Sequence, residues 1–339
     1  MPHGCIPFAT RPRTCVCCGV PRAMPSGRLR EARAHRGAGD TVAERGPVVK
    51  TAVVVLTHSV LGKGQGGGSG PEAILRAGLV ERLLAAGHDI TSVRRVQLTG
   101  AEDKQYGGWN RVGVAGAYLA DIVADARREG AFVLGLLPDC NGVLGVLGGL
   151  QRGERPNRPR RVGLVYVDAH GDYNTPETSP SGMLGGMPVA VAAGKALPRL
   201  RKQNGIQVPL QSPDIVMAGL RDLDELERQA IEEDGVEVLR EPDLVEKSSG
   251  LRAAMDYLSS REDVIYVHVD LDILDPKCAP AAGLPSPGGL TGAQLGQALN
   301  AMLEYPKAQA LAVVSYRADA DHDGRTLKEV LDSILGALE

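Results

Sequence analysis

The sequence predicts an α/β fold of three layers, in which a mostly parallel sheet of about eight strands lies between two layers of helices. Short β-branched apolar runs, the first at residues 51–56, alternate along the chain with longer segments typical of helices. These runs are continuously apolar, as expected of strands that are buried on both faces of a parallel sheet. Loops rich in glycine and proline separate them, and the chain contains 43 glycines.

The individual elements follow from local patterns in chain order. After the first strand, a glycine-rich loop at residues 62–70 leads to a helix that begins near Pro71, because proline suits the first helical turn. Thr291 and Gln294 have the spacing of a capping box and therefore begin another helix. The remaining predicted strands are residues 92–97, 132–137, 161–168, 214–220, 236–239, 264–272 and 310–315, and further helices are predicted at residues 109–129, at 222–234 and at the end of the chain.

Composition excludes several classes of function. The 38 basic and 41 acidic residues give a formal net charge of -3, so no nucleic acid or anionic membrane is expected as a partner. No apolar run approaches the roughly 20 residues that a helix needs to span a bilayer. Only Cys140 and Cys278 lie beyond the first 18 residues, so no disulfide framework is predicted and a reducing cytoplasm is the expected location.

Residues 1–49 differ in composition from residues 50–339, which we expect to form the α/β domain. The first segment is rich in Arg, Pro and Gly and has no helical or strand period. Its cysteines do not form the two separate C-x-x-C pairs that are typical of a zinc site. We expect a disordered extension, or a translation start upstream of the true one, with Met24 or a later residue closer to the real start.

Acidic residues and histidine cluster after two of the predicted strands. Asp168, His170 and Asp172 follow one strand, and Asp270 and Asp272 end another. In open α/β sheets the functional residues lie at the carboxyl ends of the strands. The period of two in an extended chain places alternate side chains on the same side, so each set can converge.

This set of side chains predicts a binuclear metal site. Clustered carboxylates are unfavourable unless cations neutralise them. Oxygen ligands with one imidazole suit Mn²⁺, or Fe, Co or Zn. A shared carboxylate can bridge two ions about 3.5–4 Å apart, and such a pair activates a bridging hydroxide for hydrolysis. A single motif of this kind also occurs as a helix cap or an ion-paired turn, but two at the ends of buried strands favour the metal site.

Three segments resemble the arginase-like ureohydrolase superfamily. They are DAHGD at residues 168–172 with the following residues to Gly182, HVDLDILDP at 268–276, and GPEAILRAGL at 70–79. The resemblance extends from about residue 51 to the end of the chain. It implies a three-layer αβα fold, two Mn²⁺ ions per chain, hydrolysis of guanidino or related C–N bonds, and a homo-oligomer that is a trimer or hexamer.

The resemblance also implies roles for individual residues. Asn174 and Ser181 match positions that hold the α-carboxylate of the substrate, which favours an amino acid over a decarboxylated amine such as agmatine. Glu177 and Tyr173 lie in the same loop, and we predict that Glu177 binds substrate. Asp172 is predicted to be catalytic as well as a metal ligand. The implied metal ligands are Asp168, His170, Asp172, Asp270 and Asp272.

The sequence departs from the family pattern at one metal position. Cys140 stands where a histidine ligand is usual. A thiolate can bind the same ion and would shift the preference towards softer metals, so we include Cys140 among the predicted ligands. The alternative is a small buried cysteine that only packs against the sheet.

Two further departures affect acid–base chemistry and substrate recognition. Gly185 replaces a histidine that is a proposed proton shuttle in the family, and Ser315 falls near the position of a glutamate that grips the guanidinium group. His268 alternates with Asp270 and is predicted to supply acid–base function, although a core role fits equally well. For His322, a solvated surface position is expected.

These observations predict a hydrolase that cleaves a C–N bond in a guanidino, amidine or related amino-acid-like substrate by means of a metal-bridging hydroxide. L-Arginine itself is a doubtful substrate. One alternative is a metal-binding relative with a structural or regulatory role. Another is a nucleotide-binding enzyme, but the glycines from Gly64 to Gly70 lack G-x-G-x-x-G spacing, and a loop over the active site explains them equally well.

Overall fold

The main sheet has eight parallel strands. The structure is a computed structural model, which describes residues 49–59, 62–64, 66–105, 107–152, 158–245 and 249–339. The expectations for residues 1–48 lie outside this part of the chain. The strands found in it are β1 (Lys50–Val55), β2 (His58–Ser59), β3 (Gly62–Lys63), β4 (Asp89–Arg95), β5 (Phe132–Leu136), β6 (Val162–Val167), β7 (Ile215–Ala218), β8 (Glu237–Leu239), β9 (Val264–Asp270) and β10 (Ala308–Val314).

The strand order is β4-β1-β5-β10-β9-β6-β7-β8, and every neighbouring pair is parallel. Strands β2 and β3 form a separate antiparallel pair. The predicted sheet of about eight mostly parallel strands is therefore confirmed. The order reverses direction in the middle of the sheet, which is where α/β folds place their binding crevice.

Helices cover both faces of the sheet. They are α1 (Gly70–Arg76), α2 (Leu79–Ala85), α3 (Gly100–Asp103), α4 (Gly108–Arg128), α5 (Gly142–Gln151), α6 (Pro188–Ala192), α7 (Pro198–Gln203), α8 (Glu225–Asp234), α9 (Glu241–Val245), α10 (Ser249–Arg261), α11 (Gly292–Leu303) and α12 (Arg325–Ala337). Residues of α4 to α8 belong to one apolar core, and residues of α1, α2 and α9 to α12 belong to the other.

The two cores explain the continuously apolar strands. In β1, Ala52 and Val54 belong to the core on one face, whereas Val53 and Val55 belong to the core on the other. Every strand residue from Ala52 to Val55 must therefore be apolar, and the sequence loses the alternation that marks a half-exposed strand.

Helices α5 and α10 were not predicted. Every residue of α5 is buried, so the helix has no polar face and its sequence lacks an amphipathic period. Helix α10 buries Leu251, Ala254, Met255 and Leu258, a stripe of helical spacing that the sequence analysis overlooked. Among the described helices, none has both the length and the apolar character that crossing a bilayer requires.

The glycine-rich loop after β1 packs closely against the ends of other strands. A Cβ atom at Gly67 would lie 1.8 Å from the carbonyl oxygen of Pro138, and one at Gly70 would lie 2.2 Å from that of Tyr316. Only glycine permits such an approach of two backbones. Packing therefore accounts for these glycines, which removes the structural argument for a nucleotide-binding loop.

Candidate metal centre

The candidate metal centre lies where four adjacent strands end. Strands β5, β10, β9 and β6 are neighbours in the middle of the sheet. Cys140 follows β5, Ser315 follows β10, Asp270 ends β9 and Asp168 follows β6. Because the strands are parallel, all four carboxyl ends meet at one edge and bring these side chains together.

Two groups of potential ligands share one carboxylate. Cys140, Asp168 and Asp270 form what we call the cysteine site, and Asp168, His170 and Asp272 form the histidine site. Within each group the potential ligand atoms all lie within 4.8 Å of one another. The Asp168 carboxylate belongs to both sites, so it can bridge two bound ions.

The cysteine site is buried. Cys140 Sγ lies 2.8 Å from Asp270 Oδ2 and 3.6 Å from Asp168 Oδ2. Ser315 Oγ donates a second hydrogen bond to Asp270 Oδ2 at 2.5 Å. Ser315 has a φ of 69°, a left-handed conformation that is uncommon for residues other than glycine and is often found at functional sites.

The histidine site has a different donor set. His170 Nδ1 lies 2.9 Å from Asp272 Oδ2 and 3.4 Å from Asp168 Oδ1. Its Nε2 lies 3.8 Å from Asp222 Oδ2, and the side chain is partly exposed. The site therefore offers one imidazole nitrogen and carboxylate oxygens, which is a suitable ligand set for Mn²⁺ and for several other divalent ions.

Backbone amides hold the carboxylates in place. The amide of His170 donates to Asp168 Oδ1 at 2.7 Å, and the amide of Ala169 donates to Asp272 Oδ1 at 3.1 Å. The amide of Asp272 donates to Asp270 Oδ1 at 3.0 Å. Each ligand carboxylate thus has a fixed orientation that depends on the backbone at the strand ends.

The electrostatics of the cluster favour bound cations. Burial, followed by the charges of Asp272 and Asp270, raises the pKa of Asp168 well above its usual range. Burial lowers the pKa of His170, but hydrogen bonds with Asp168 and Asp272 outweigh burial and raise it to about 11. The side chains therefore retain protons unless positive charge compensates the carboxylates. Divalent ions supply that charge, so the residues fit a metal pair.

Asp172 lies beside the two sites but outside both groups of three. It lines the same cavity, and Tyr166 donates a hydrogen bond to its Oδ2 at 2.5 Å. Its φ of 48° is again left-handed. Burial raises its pKa, although the Tyr166 hydrogen bond acts in the opposite direction. The predicted roles of Asp172 as a ligand and catalytic residue stay predictions.

His268 lies behind the ligands and does not line the cavity. Its ring is fully buried, stacks on Tyr166 with a centroid distance of 5.0 Å, and has Nδ1 2.7 Å from the Tyr266 hydroxyl. Burial lowers its pKa to about 3. The acid–base role predicted for His268 requires contact with the cavity, which this placement does not provide. His268 instead packs against Tyr166, which holds Asp172.

A cavity of about 420 Å³ opens above the two sites. Asn174 and Ser181 both line it, and the substrate-binding role predicted for them stays a prediction. Asn174 is buried, and its Nδ2 donates to Asp224 Oδ2 at 2.9 Å. Glu177 is exposed and is not among the lining residues. The Glu177 side chain is therefore not positioned to bind a substrate in the cavity, which is the role that the sequence had predicted.

Tyr173 is also directed away from the cavity. Its side chain is buried, and its hydroxyl donates to Asp234 Oδ2 at 2.8 Å, while its amide donates to Glu227. His322 is exposed, as expected. Gly185 lines the cavity without offering any side chain to it.

The cavity wall also contains charged residues that were not predicted from the sequence, among them four that follow β7 and β10. Asp222, Asp224 and Glu227 follow β7, and Arg317 follows β10 by three residues. The rule that found the metal ligands also applies to these strands, because both of them end at the same edge of the sheet. The residues were overlooked because they lie beyond the strand ends, in a loop or at the start of α8.

Comparison with known proteins agrees with this geometry. Residues 53–336 match the family model described as the arginase family. The arginase of Bacillus caldovelox is 31% identical over 277 residues, which cover 79% of this chain and 91% of that protein. The arginase of Bacillus subtilis is 31% identical over 296 residues, which cover 85% and 98%.

A crystal structure of the arginase from Bacillus subtilis is similar in fold. It superposes with a TM-score of 0.74 at 29% sequence identity, covering 86% of this chain and 98% of that chain. The family match over residues 53–336 includes both ligand groups, which confirms the resemblance seen in the motifs. The chain belongs to the arginase family.

Proposed function

We propose that the protein is a metal-dependent hydrolase that cleaves a C–N bond in a guanidino, amidine or related amino-acid-like substrate. One observation carries the proposal: two groups of ligands share Asp168 at the base of a cavity, in a member of the arginase family. A pair of divalent ions held there would polarise the scissile group and generate a nucleophile from water at neutral pH.

The residues present suit a pair of bound ions. Asp168 would contact both ions, with His170 and Asp272 completing the histidine site and Cys140 and Asp270 the cysteine site. Mn²⁺ is the ion that we propose for the histidine site, because imidazole and carboxylate are donors that it accepts. Asp172 would be a further ligand, and the Tyr166 hydroxyl fixes the orientation of its carboxylate.

The wall of the cavity suits an amino-acid-like substrate. Asn174 and Ser181 offer an amide and a hydroxyl that can donate hydrogen bonds to an α-carboxylate. Asp224 lies beside Asn174, and its carboxylate can accept a hydrogen bond from an α-ammonium group. These polar groups, placed together, would orient the substrate relative to the metal centre.

Ser315 argues against L-arginine as the preferred substrate. It lines the cavity with a hydroxyl that is already bonded to Asp270, near the position where the family resemblance implies a glutamate that binds the guanidinium group. Arg317 also lines the cavity, where its guanidinium is paired with Asp319 and offers no carboxylate to a substrate. An arginine analogue, another amidine or an amide fits these residues better.

A metal-binding protein without catalytic activity is the second candidate. Gly185 and Ser315 both line the cavity, and neither offers an acid–base group. These two positions favour a structural or regulatory role. The retained pair of ligand groups favours the hydrolase, because a structural role does not require two sites that share a carboxylate.

The first experiment measures metal content and hydrolysis on the same preparation. Purified protein is analysed for bound metals, loaded with Mn²⁺, and incubated with guanidino compounds, amidines and amides of amino acids. Urea and ammonia are both measured, because only guanidino substrates release urea. Two ions per chain with turnover of any substrate supports the hydrolase. Two ions without turnover favours the second candidate, and an absence of metal after loading overturns both.

The expected cytoplasmic location and the homo-oligomeric state stay predictions. Light scattering on the purified chain tests the second, since the family resemblance implies a trimer or hexamer.

A further inference from the structure

We infer that the two halves of the metal centre are chemically unequal, and that the cysteine site selects a thiophilic divalent ion such as Zn²⁺ or Co²⁺ while the histidine site accepts Mn²⁺. The inference rests on the proposed function only in requiring that the centre binds metal. It replaces the expectation of two Mn²⁺ ions with a mixed pair.

The donor atoms of the two sites differ in one position. Both sites contain Asp168 and one further carboxylate, which is Asp270 in the cysteine site and Asp272 in the histidine site. The third donor is the sulfur of Cys140 in one and the imidazole of His170 in the other. Thiolate ligands favour Zn²⁺ and other soft ions, whereas carboxylate and imidazole ligands also suit Mn²⁺.

The position of Cys140 supports coordination over simple packing. Its Sγ is directed at two carboxylates, 2.8 Å from Asp270 and 3.6 Å from Asp168. A cysteine that serves only as a small apolar side chain would direct its sulfur towards carbon atoms. The Asp270 carboxylate that faces the sulfur is itself fixed by Ser315 and by the amide of Asp272.

Cys278 provides a contrast within the same chain. It is half-buried in the loop after β9, and its sulfur contacts the backbone carbonyl of Asp275 at 3.1 Å. It belongs to neither ligand group. Replacing Cys278 therefore removes a thiol without changing the metal centre, which makes it a matched control for Cys140.

The experiment uses Co²⁺ as a spectroscopic probe in the full-length chain. The four cysteines among the first 18 residues are changed to serine in every sample, because they would also bind Co²⁺. Metals are removed with a chelator, Co²⁺ is added, and the near-ultraviolet thiolate-to-cobalt charge-transfer band is recorded. The band is expected in this background and in Cys278→Ser, and it is expected to vanish in Cys140→Ser.

A competition experiment tests selectivity. Zn²⁺ binds most nitrogen and oxygen sites more tightly than Mn²⁺, so only a comparison between variants is informative. In the background protein, one Zn²⁺ per chain should resist displacement by excess Mn²⁺. In Cys140→His, the Mn²⁺ concentration that displaces this ion should fall by roughly tenfold or more, because the soft donor is lost.

Four results would overturn the inference. A charge-transfer band that persists in Cys140→Ser places the thiolate ligand elsewhere. Equal displacement of Zn²⁺ in the background and in Cys140→His removes the selectivity. Turnover with two bound Mn²⁺ ions, together with the absence of the cobalt band, contradicts this inference and leaves the proposed function intact. A failure to bind any metal contradicts both the inference and the proposed function. If Cys140→His does not fold, the nearly isosteric Cys140→Ser decides the result.

Discussion

The floor and the wall of the cavity are built differently. The floor consists of side chains at strand ends, such as Asp168 and Asp270, which are buried and bonded to backbone amides. The wall consists of loop residues such as Ser181 and Leu284, which are exposed. A floor fixed by the sheet preserves the metal chemistry, while a wall made of loops can change its side chains without disturbing the fold. The departure from the family at Gly185 therefore alters substrate selection more readily than metal binding, whereas Ser315 contacts the ligand Asp270 and belongs to the floor.

The largest effect is expected when Asp168, the ligand shared by both sites in the floor, is removed. Asp168→Ala should lose both ions, and hydrolysis should fall roughly a thousandfold or more, because bound metal contributes several kcal/mol to transition-state stabilisation. Metal analysis and turnover are measured together. Asp256→Ala is the control, since Asp256 is an exposed carboxylate on α10 that neither lines the cavity nor belongs to either site. If Asp168→Ala keeps two ions, the assignment of the floor is wrong.

A smaller effect is expected behind the floor. Tyr166→Phe removes the hydroxyl that bonds to Asp172 but keeps the ring that stacks on His268. Metal affinity or activity should fall by about 10- to 100-fold, as is usual when a partner of a ligand is lost. Tyr266→Phe is the control, because its hydroxyl contacts His268 and no ligand. Equal losses in both variants would show that general packing is responsible.

At the wall, the expected effect is confined to substrate binding. Asn174→Ala should lower kcat/KM by about tenfold or more for substrates with an α-carboxylate, since a hydrogen bond to a charged group contributes about 1.5–3 kcal/mol. Metal content should not change. Glu177→Ala should leave kcat/KM unaltered, because Glu177 is exposed and outside the cavity. A loss with Glu177→Ala would restore its predicted role and contradict the described position of the loop.

The smallest effect concerns the pH dependence of stability. In the metal-free folded chain the pKa values of Asp168, Asp172 and His170 are higher than in the unfolded chain. The contribution of these groups to stability is therefore complete at a pH below their pKa values in the unfolded chain. It is lost as the pH rises through their pKa values in the folded chain. The melting temperature after chelation should therefore be higher at about pH 6.5 than at about pH 8.5.

Metal-loaded protein should show the opposite dependence, because protons compete with bound ions for the same ligands. Thermal unfolding at the two pH values, with and without chelator, checks both signs. The pKa of His268 is about 3, so this residue stays neutral throughout the window and does not affect the comparison. The same slope with and without metal would mean that the floor carries no ion.

The sequence alone determined the sheet and most of the floor. Continuous β-branched runs predicted the buried parallel strands, and acidic residues placed directly after two of them predicted that Asp168, His170, Asp270 and Asp272 converge. Both inferences depend on local periodicity and on the rule that parallel strands present their carboxyl ends at one edge. The convergence of each set on its own needs no knowledge of strand order, whereas the two sets meet only because β6 and β9 are neighbours.

Only the tertiary structure decided which of the predicted side chains meet. Cys140 faces Asp270 because β5, β10 and β9 are adjacent, and strand order is a long-range property that no local pattern encodes. The same alternation that suggested His268 could reach the site places it in a fully buried layer behind Tyr166. The paths of long loops decided which residues form the cavity wall. Asn174 lines the cavity, whereas Glu177, only three residues later, is exposed to solvent.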